Sequence, residues 1–99
     1  MIVVLNPKGE IICAPGIIRM VLGYESRELI GRSAFRLLPY NLQRDMKLRF
    51  EWIVACGSLT INAVLPVKHK AGFVLRLKVT VCNFLHVENV RGVVIMTRT

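Results

Sequence analysis

Between Gly23 and Arg32 the chain reads Gly-Tyr-Glu-Ser-Arg-Glu-Leu-Ile-Gly-Arg, and this run restricts folding more than any other segment. The apolar residues before it, Ile17, Ile18, Val21 and Leu22, recur at helical spacing. Gly23 can end that helix in the left-handed conformation, where a Cβ would clash. Glu25 to Glu28 can then open a second short helix, whose N-terminus favours carboxylates, and Gly31 can end it in turn. One-turn helices are marginal alone. They need a sheet behind them to form.

The flanking sequence supplies that sheet. Ile2 to Leu5 is a short apolar strand, stopped by the turn-like Asn6-Pro7-Lys8-Gly9, and Glu10 to Cys13 returns as a second strand. Pro15 suits the start of the first helix. Ser33 is placed to cap a third short helix, Ala34 to Leu38, which Pro39 ends. The main helix is expected from Asn41, as cap, to about Ala55, with Leu42, Met46, Phe50 and Ile53 on one face and Leu48, Trp52 and Ala55 widening it. Gly57 follows as a stop. Leu59 to Lys68 and Phe73 to Phe84 alternate with the period of strands, and Lys68-His69-Lys70 forms the hairpin tip between them. Val93 to about Arg98 is the last strand. Two strands, four helices and three strands make an α+β fold, an antiparallel sheet covered on one face, in a single domain spanning 1-99.

Composition narrows the function. Fourteen Lys and Arg against six Asp and Glu give a net charge of +8, yet the basic residues are scattered, which argues against a nucleic-acid face. The longest uncharged runs are too short to span a bilayer, so no membrane insertion is expected. The N-terminus breaks at Pro7 and lacks a basic start, unlike a signal peptide. Three widely spaced cysteines without CxxC pairing fit a cytoplasmic chain with reduced thiols, Cys13 and Cys82 reading as buried structural groups. Two separated histidines and these cysteines make a poor metal site. There is no Gly-rich phosphate loop and no nucleophile-base pair, so an enzyme is not expected.

In order and spacing, Asn6 to Ile12, Gly23 to Arg32, Lys68 to Gly72 and Arg91 to Thr97 resemble the PAS family of sensor and dimerisation domains. The resemblance covers essentially the whole chain. It implies a five-stranded antiparallel sheet of order 2-1-5-4-3, with the helices inserted between the second and third strands. Two departures stand out: Ala14-Pro15-Gly16 replaces the Asn-Ala pair common after the second strand, and Thr97-Arg98-Thr99 replaces the closing Asp-x-Thr. The resemblance further implies a non-catalytic sensory or interaction module of a larger cytoplasmic signalling or transcription-regulating protein. Its partners would be a second copy, as a homodimer, or other signalling domains of the parent. The interface is expected on the outer face of the sheet, from Val3, Leu5, Val64, Cys82, Val94 and Met96.

PAS domains hold flavin, haem, small acids or nothing between sheet and helices. Ala34 stands where the photoreactive flavin subclass has its adduct-forming thiol, and the long helix has no histidine to ligate haem, so both are disfavoured. The alternative function is a sensor holding a flavin or a small apolar metabolite, its pocket lined by Leu48, Trp52, Ile61, Ala63, Leu77 and Ile95. Trp52 can stack on a planar ligand or fill the space itself. The near absence of polar groups in that lining favours an apolar ligand or a packed core.

Overall fold

The computed structural model describes residues 1–98, and Thr99, the last residue of the closing motif, lies outside it. The chain order is β1 (Ile2–Leu5), β2 (Ile11–Cys13), α1 (Ile18–Leu22), α2 (Ser26–Leu29), a 3-10 helix (Ala34–Leu37), α3 (Tyr40–Ala55), β3 (Thr60–Lys68), β4 (Val74–Phe84) and β5 (Gly92–Thr97). The strands form one antiparallel sheet of order β2-β1-β5-β4-β3. The terminal strands β1 and β5 are therefore neighbours near its middle.

Local chemistry explains the turns. The Asn6 side chain accepts from the backbone N–H groups of Lys8 and Glu10, each at 2.9 Å, which sets the β1–β2 reversal. Gly23 ends α1 at φ +82°, its N–H donating to Arg19 O at 3.0 Å. A side chain at Gly23 would also be strained against His69, whose Cε1 lies 2.7 Å from the Cβ position. Glu25 opens α2 through a capping box: the Glu28 carboxylate accepts from Glu25 N–H at 2.8 Å.

Two expected caps are absent. Helix α3 begins at Tyr40 behind Pro39, whose extended backbone supplies the cap position, so Asn41 is the exposed second residue of the helix. Ser33 makes no side-chain cap, and the Arg36 N–H that it would serve donates instead to Ser33 O at 3.2 Å. Glu10 and Ser33 form an isolated antiparallel bridge, and Ala34 N–H donates to Gly9 O at 2.9 Å.

The register fixes which residues face the helices. Ile2 pairs with Met96, Val3 with Ile95, Val4 with Val94 and Leu5 with Val93. Paired residues share a face, and successive residues alternate. Val93 and Leu5 are buried in the core, so Val3 and Leu5 point to the helices, and Ile2, Val4, Val94 and Met96 point outward. The expected outer positions of Val3 and Leu5 are thus corrected to the inner face. Val64, Cys82, Val94 and Met96 do lie on the outer face, where Val64 is exposed and Cys82 and Val94 are buried by their neighbours.

The core gathers Leu5, Ile11, Ile18, Leu22, Leu29 and Val93 around α1, α2 and the β2-β1-β5 side of the sheet. At the other side, Asn83 fastens the end of α3. It is 1% exposed, its amide donates to Ile53 O at 2.8 Å, and its carbonyl oxygen accepts from Leu85 N–H at 3.0 Å. The last carbonyls of a helix lack intrahelical partners, and a buried amide meets that need.

Candidate functional site: an apolar cavity between the long helix and the sheet

Asn83 fastens the C-terminal end of α3 to the sheet, and Phe50 reaches the buried core from the middle of the helix, with open space on either side of that contact. The space left is a cavity of about 430 Å³. Helix α3 contributes Met46, Arg49, Phe50, Trp52 and Ile53, and the strands contribute Val3, Ile61, Ala63, Leu65, Leu77, Val79 and Ile95. The 3-10 helix adds Phe35, whose ring meets that of Phe50 edge-on with centroids 5.4 Å apart.

Of the six residues expected to line a pocket, Trp52, Ile61, Ala63, Leu77 and Ile95 do line this cavity. Leu48 does not, and is 58% exposed. It lies two residues from both Met46 and Phe50, about 200° around the helix at roughly 100° per residue, which turns it to solvent. Trp52 neither fills the space nor is shut inside it: it lines the cavity while 59% exposed, so the cavity opens to solvent at α3.

Among the described residues, Arg49 is the one charged side chain in the lining and Thr97 the one hydroxyl. Arg49 stands at the rim, 72% exposed, with Asp45 Oδ2 3.3 Å from its Nε. Such an exposed pair is weak and readily exchanged for another anion. The spacing Arg49-x-x-Trp52 puts both on the cavity side of α3, a signal present in the sequence itself. The aliphatic wall ends at the chain's own ends. Met1 and Thr97 both line the cavity, and Thr97 N–H donates to Met1 O at 2.9 Å.

Neither histidine lines the cavity, and no cluster of three metal-ligating side chains occurs among the described residues. Cys82 is buried as expected, whereas Cys13 is exposed on the edge strand β2. No helix is long and apolar enough to cross a membrane, among the described residues.

An antiparallel sheet of order β2-β1-β5-β4-β3, cupping an apolar space beneath helices inserted after its second strand, defines a recognised architecture. No known family's sequence profile and no curated protein matches the chain. Solved structures do. PAS-B of Cycle from Drosophila melanogaster, with bound ethylene glycol, superposes with a TM-score of 0.80 at 12% identity, covering 98% of this chain and 96% of that one. The PAS domain of an HTR-like protein from Haloarcula marismortui gives 0.82 at 19% identity, covering 99% and 83%. The PAS domain of the quorum-sensing receptor RpfR from Cronobacter turicensis, in complex with C12:0, gives 0.71 at 18% identity, covering 97% and 87%. The same RpfR domain also matches in complex with BDSF. The chain has the PAS fold.

Proposed function

We propose that this chain is a non-catalytic sensory module of a signalling protein, and that it binds a small amphipathic molecule with an aliphatic body and an anionic head. The cavity carries this reading. Its volume of about 430 Å³ falls within the range of ligand pockets, and its wall is aliphatic and aromatic apart from Arg49 at the rim and Thr97 beside Met1. The aliphatic body gains from leaving water, while the head pairs with a guanidinium that remains in solvent. The RpfR domain of the same fold was solved with C12:0, a ligand of this shape. A flavin fits less well, because its ring system needs several hydrogen-bonding partners that this lining lacks.

Occupancy would be felt at the chain ends. A ligand against Ile95, Thr97 and Met1 presses on β5 and on the residue before β1, which Thr97 N–H ties to β5 by donating to Met1 O at 2.9 Å.

Trp52 is the sole tryptophan, so its emission reports the cavity directly. C12:0 is expected to shift Trp52 emission to the blue saturably, and Arg49→Gln to weaken binding roughly tenfold. The methyl ester of C12:0 should bind the native protein as weakly as the acid binds the variant. Equal affinity for acid and ester would sink the anionic-head reading, and no saturable change with either would sink the ligand reading itself.

A second reading concerns the outer face. Ile2 and Val64 are exposed there and Met96 is half-buried, which supports a protein contact such as a homodimer. Light scattering should then give a dimer mass that Met96→Lys reduces to the monomer. A monomer in the native protein would dismiss it.

A further inference from the structure

The sequence scatters its cations, but the fold brings three of them around one open groove between the 3-10 helix and the start of α3. Tyr40, Arg44 and Lys47 are spaced four and three apart, so they stand in one row along α3. Arg36 faces them from the 3-10 helix, across the turn made by Pro39. Phe35 forms part of the floor. No acid lines the groove, and none of the three cations has an ion-pair partner among the described residues.

We propose that this groove docks an acidic segment of a partner protein, its carboxylates paired with Arg36, Arg44 and Lys47 and its backbone laid against Tyr40. Tyr40 is 88% exposed, and Tyr and Arg are the residues that most often dominate protein interfaces. Two of the three cations are arginines, suited to bidentate pairing with carboxylates. Other cations are engaged or lie elsewhere. Arg19, Arg49 and Lys70 are paired with acids, and Arg76 and Lys78 lie on the opposite side of the molecule, on the outer face of the sheet. A nucleic acid would need a continuous basic track with exposed aromatics to stack its bases, and Tyr40 is the one exposed aromatic in the groove among the described residues.

The test is fluorescence anisotropy with a labelled peptide of alternating Asp and Ser, at low and at physiological salt. The native protein should bind it, and the double variant Arg44→Glu/Lys47→Glu should bind roughly tenfold or more weakly. The variant's circular dichroism should match the native protein, since both side chains are exposed. Arg76→Glu/Lys78→Glu, which changes net charge equally, should leave binding within about twofold. Equal loss in both double variants would show attraction to net charge alone and overturn the groove. Tighter binding of a single-stranded oligonucleotide than of the peptide, lost in the same groove variant, would overturn the acidic-protein assignment. Absence of peptide binding at low salt would overturn the proposal outright.

Discussion

The two halves of the space beneath the helices are built differently. Around α1 and α2, Leu5, Ile11, Ile18, Leu22, Leu29 and Val93 are sealed from solvent, with Val93 at 0% exposure, and Leu5, Ile11, Ile18 and Leu22 form the inner end of the cavity. Across from them, Ile53, Ile61, Ala63, Leu65 and Leu77 are only partly buried, and Trp52 stands mostly in solvent. The composition of the two halves is equally apolar, so hydrophobicity does not separate them. Attachment does. The α1–α2 side is tied by Ser26 Oγ donating to Pro15 O at 2.9 Å, by Lys70 N–H donating to Leu22 O at 2.8 Å and by the Lys70–Glu28 ion pair at 2.6 Å. Helix α3 reaches β4 through Asn83 at its last turn, and the cavity lies along the remainder of the helix. The α1–α2 side is fastened at several points and closes the inner end of the cavity, and the α3 side opens it to solvent at Trp52.

The sharpest way to break this contrast is to truncate one residue in each half. Leu29→Ala, on the closed side, should cost about 2–5 kcal/mol in urea unfolding, because it opens a new void in packed surroundings. Ile61→Ala borders space that is already empty and water-accessible, so roughly 1 kcal/mol is expected. Equal costs would show that the halves are packed alike.

Asn83→Ala tests the attachment itself. It removes the donor to Ile53 O in a buried setting and should cost about 1–3 kcal/mol. Hydrogen exchange should accelerate in the last turn of α3 and stay unchanged in α1. Uniform acceleration across both helices would mean that Asn83 supports the whole fold rather than one end of one helix.

The smallest effect belongs to the hairpin tip. The Lys70 ammonium, first, and the Glu25 N–H hold the Glu28 carboxyl below its ordinary value of 4.5. A lowered folded pKa gives stability that is present above the unfolded value and lost as pH falls through the folded one. Lys70→Ala should therefore lower Tm slightly at pH 7, and the difference should close as the pH drops below 4.5. A gap that persists in acid would assign the effect to lost packing instead.

Much of this architecture was legible in the sequence, for physical reasons that also mark where legibility stopped. Strand β4 carries Arg76, Lys78 and Thr80 against Leu77, Val79 and Val81, so its phase is written in polarity. Strand β1, Ile2-Val3-Val4-Leu5, has no polar residue to mark its phase, so the pattern alone does not tell its outer positions, Ile2 and Val4, from its inner ones, Val3 and Leu5. Pairing alone resolves it, since Val3 lies opposite Ile95. Leu48 shows the same weakness in a helix, where an apolar residue on the far side resembles a widened core stripe. Asn83, set among Val81, Cys82 and Phe84, was a visible anomaly whose partner on α3 no local pattern could name. Arg44 and Lys47 are neighbours by helical spacing, but Arg36 joins them only through the reversal at Pro39.

Native mass spectrometry with added C12:0 reaches the main claim most directly, set beside Ala63→Phe, which places a ring in the cavity. The native protein should carry one molecule of C12:0 per chain. Ala63→Phe should carry none while unfolding at an equal or higher denaturant concentration, since filling empty space commonly stabilises by about 0.5–2 kcal/mol. Retained binding in a folded Ala63→Phe would place the ligand elsewhere, and a native protein that carries no C12:0 would leave the cavity as unfilled core.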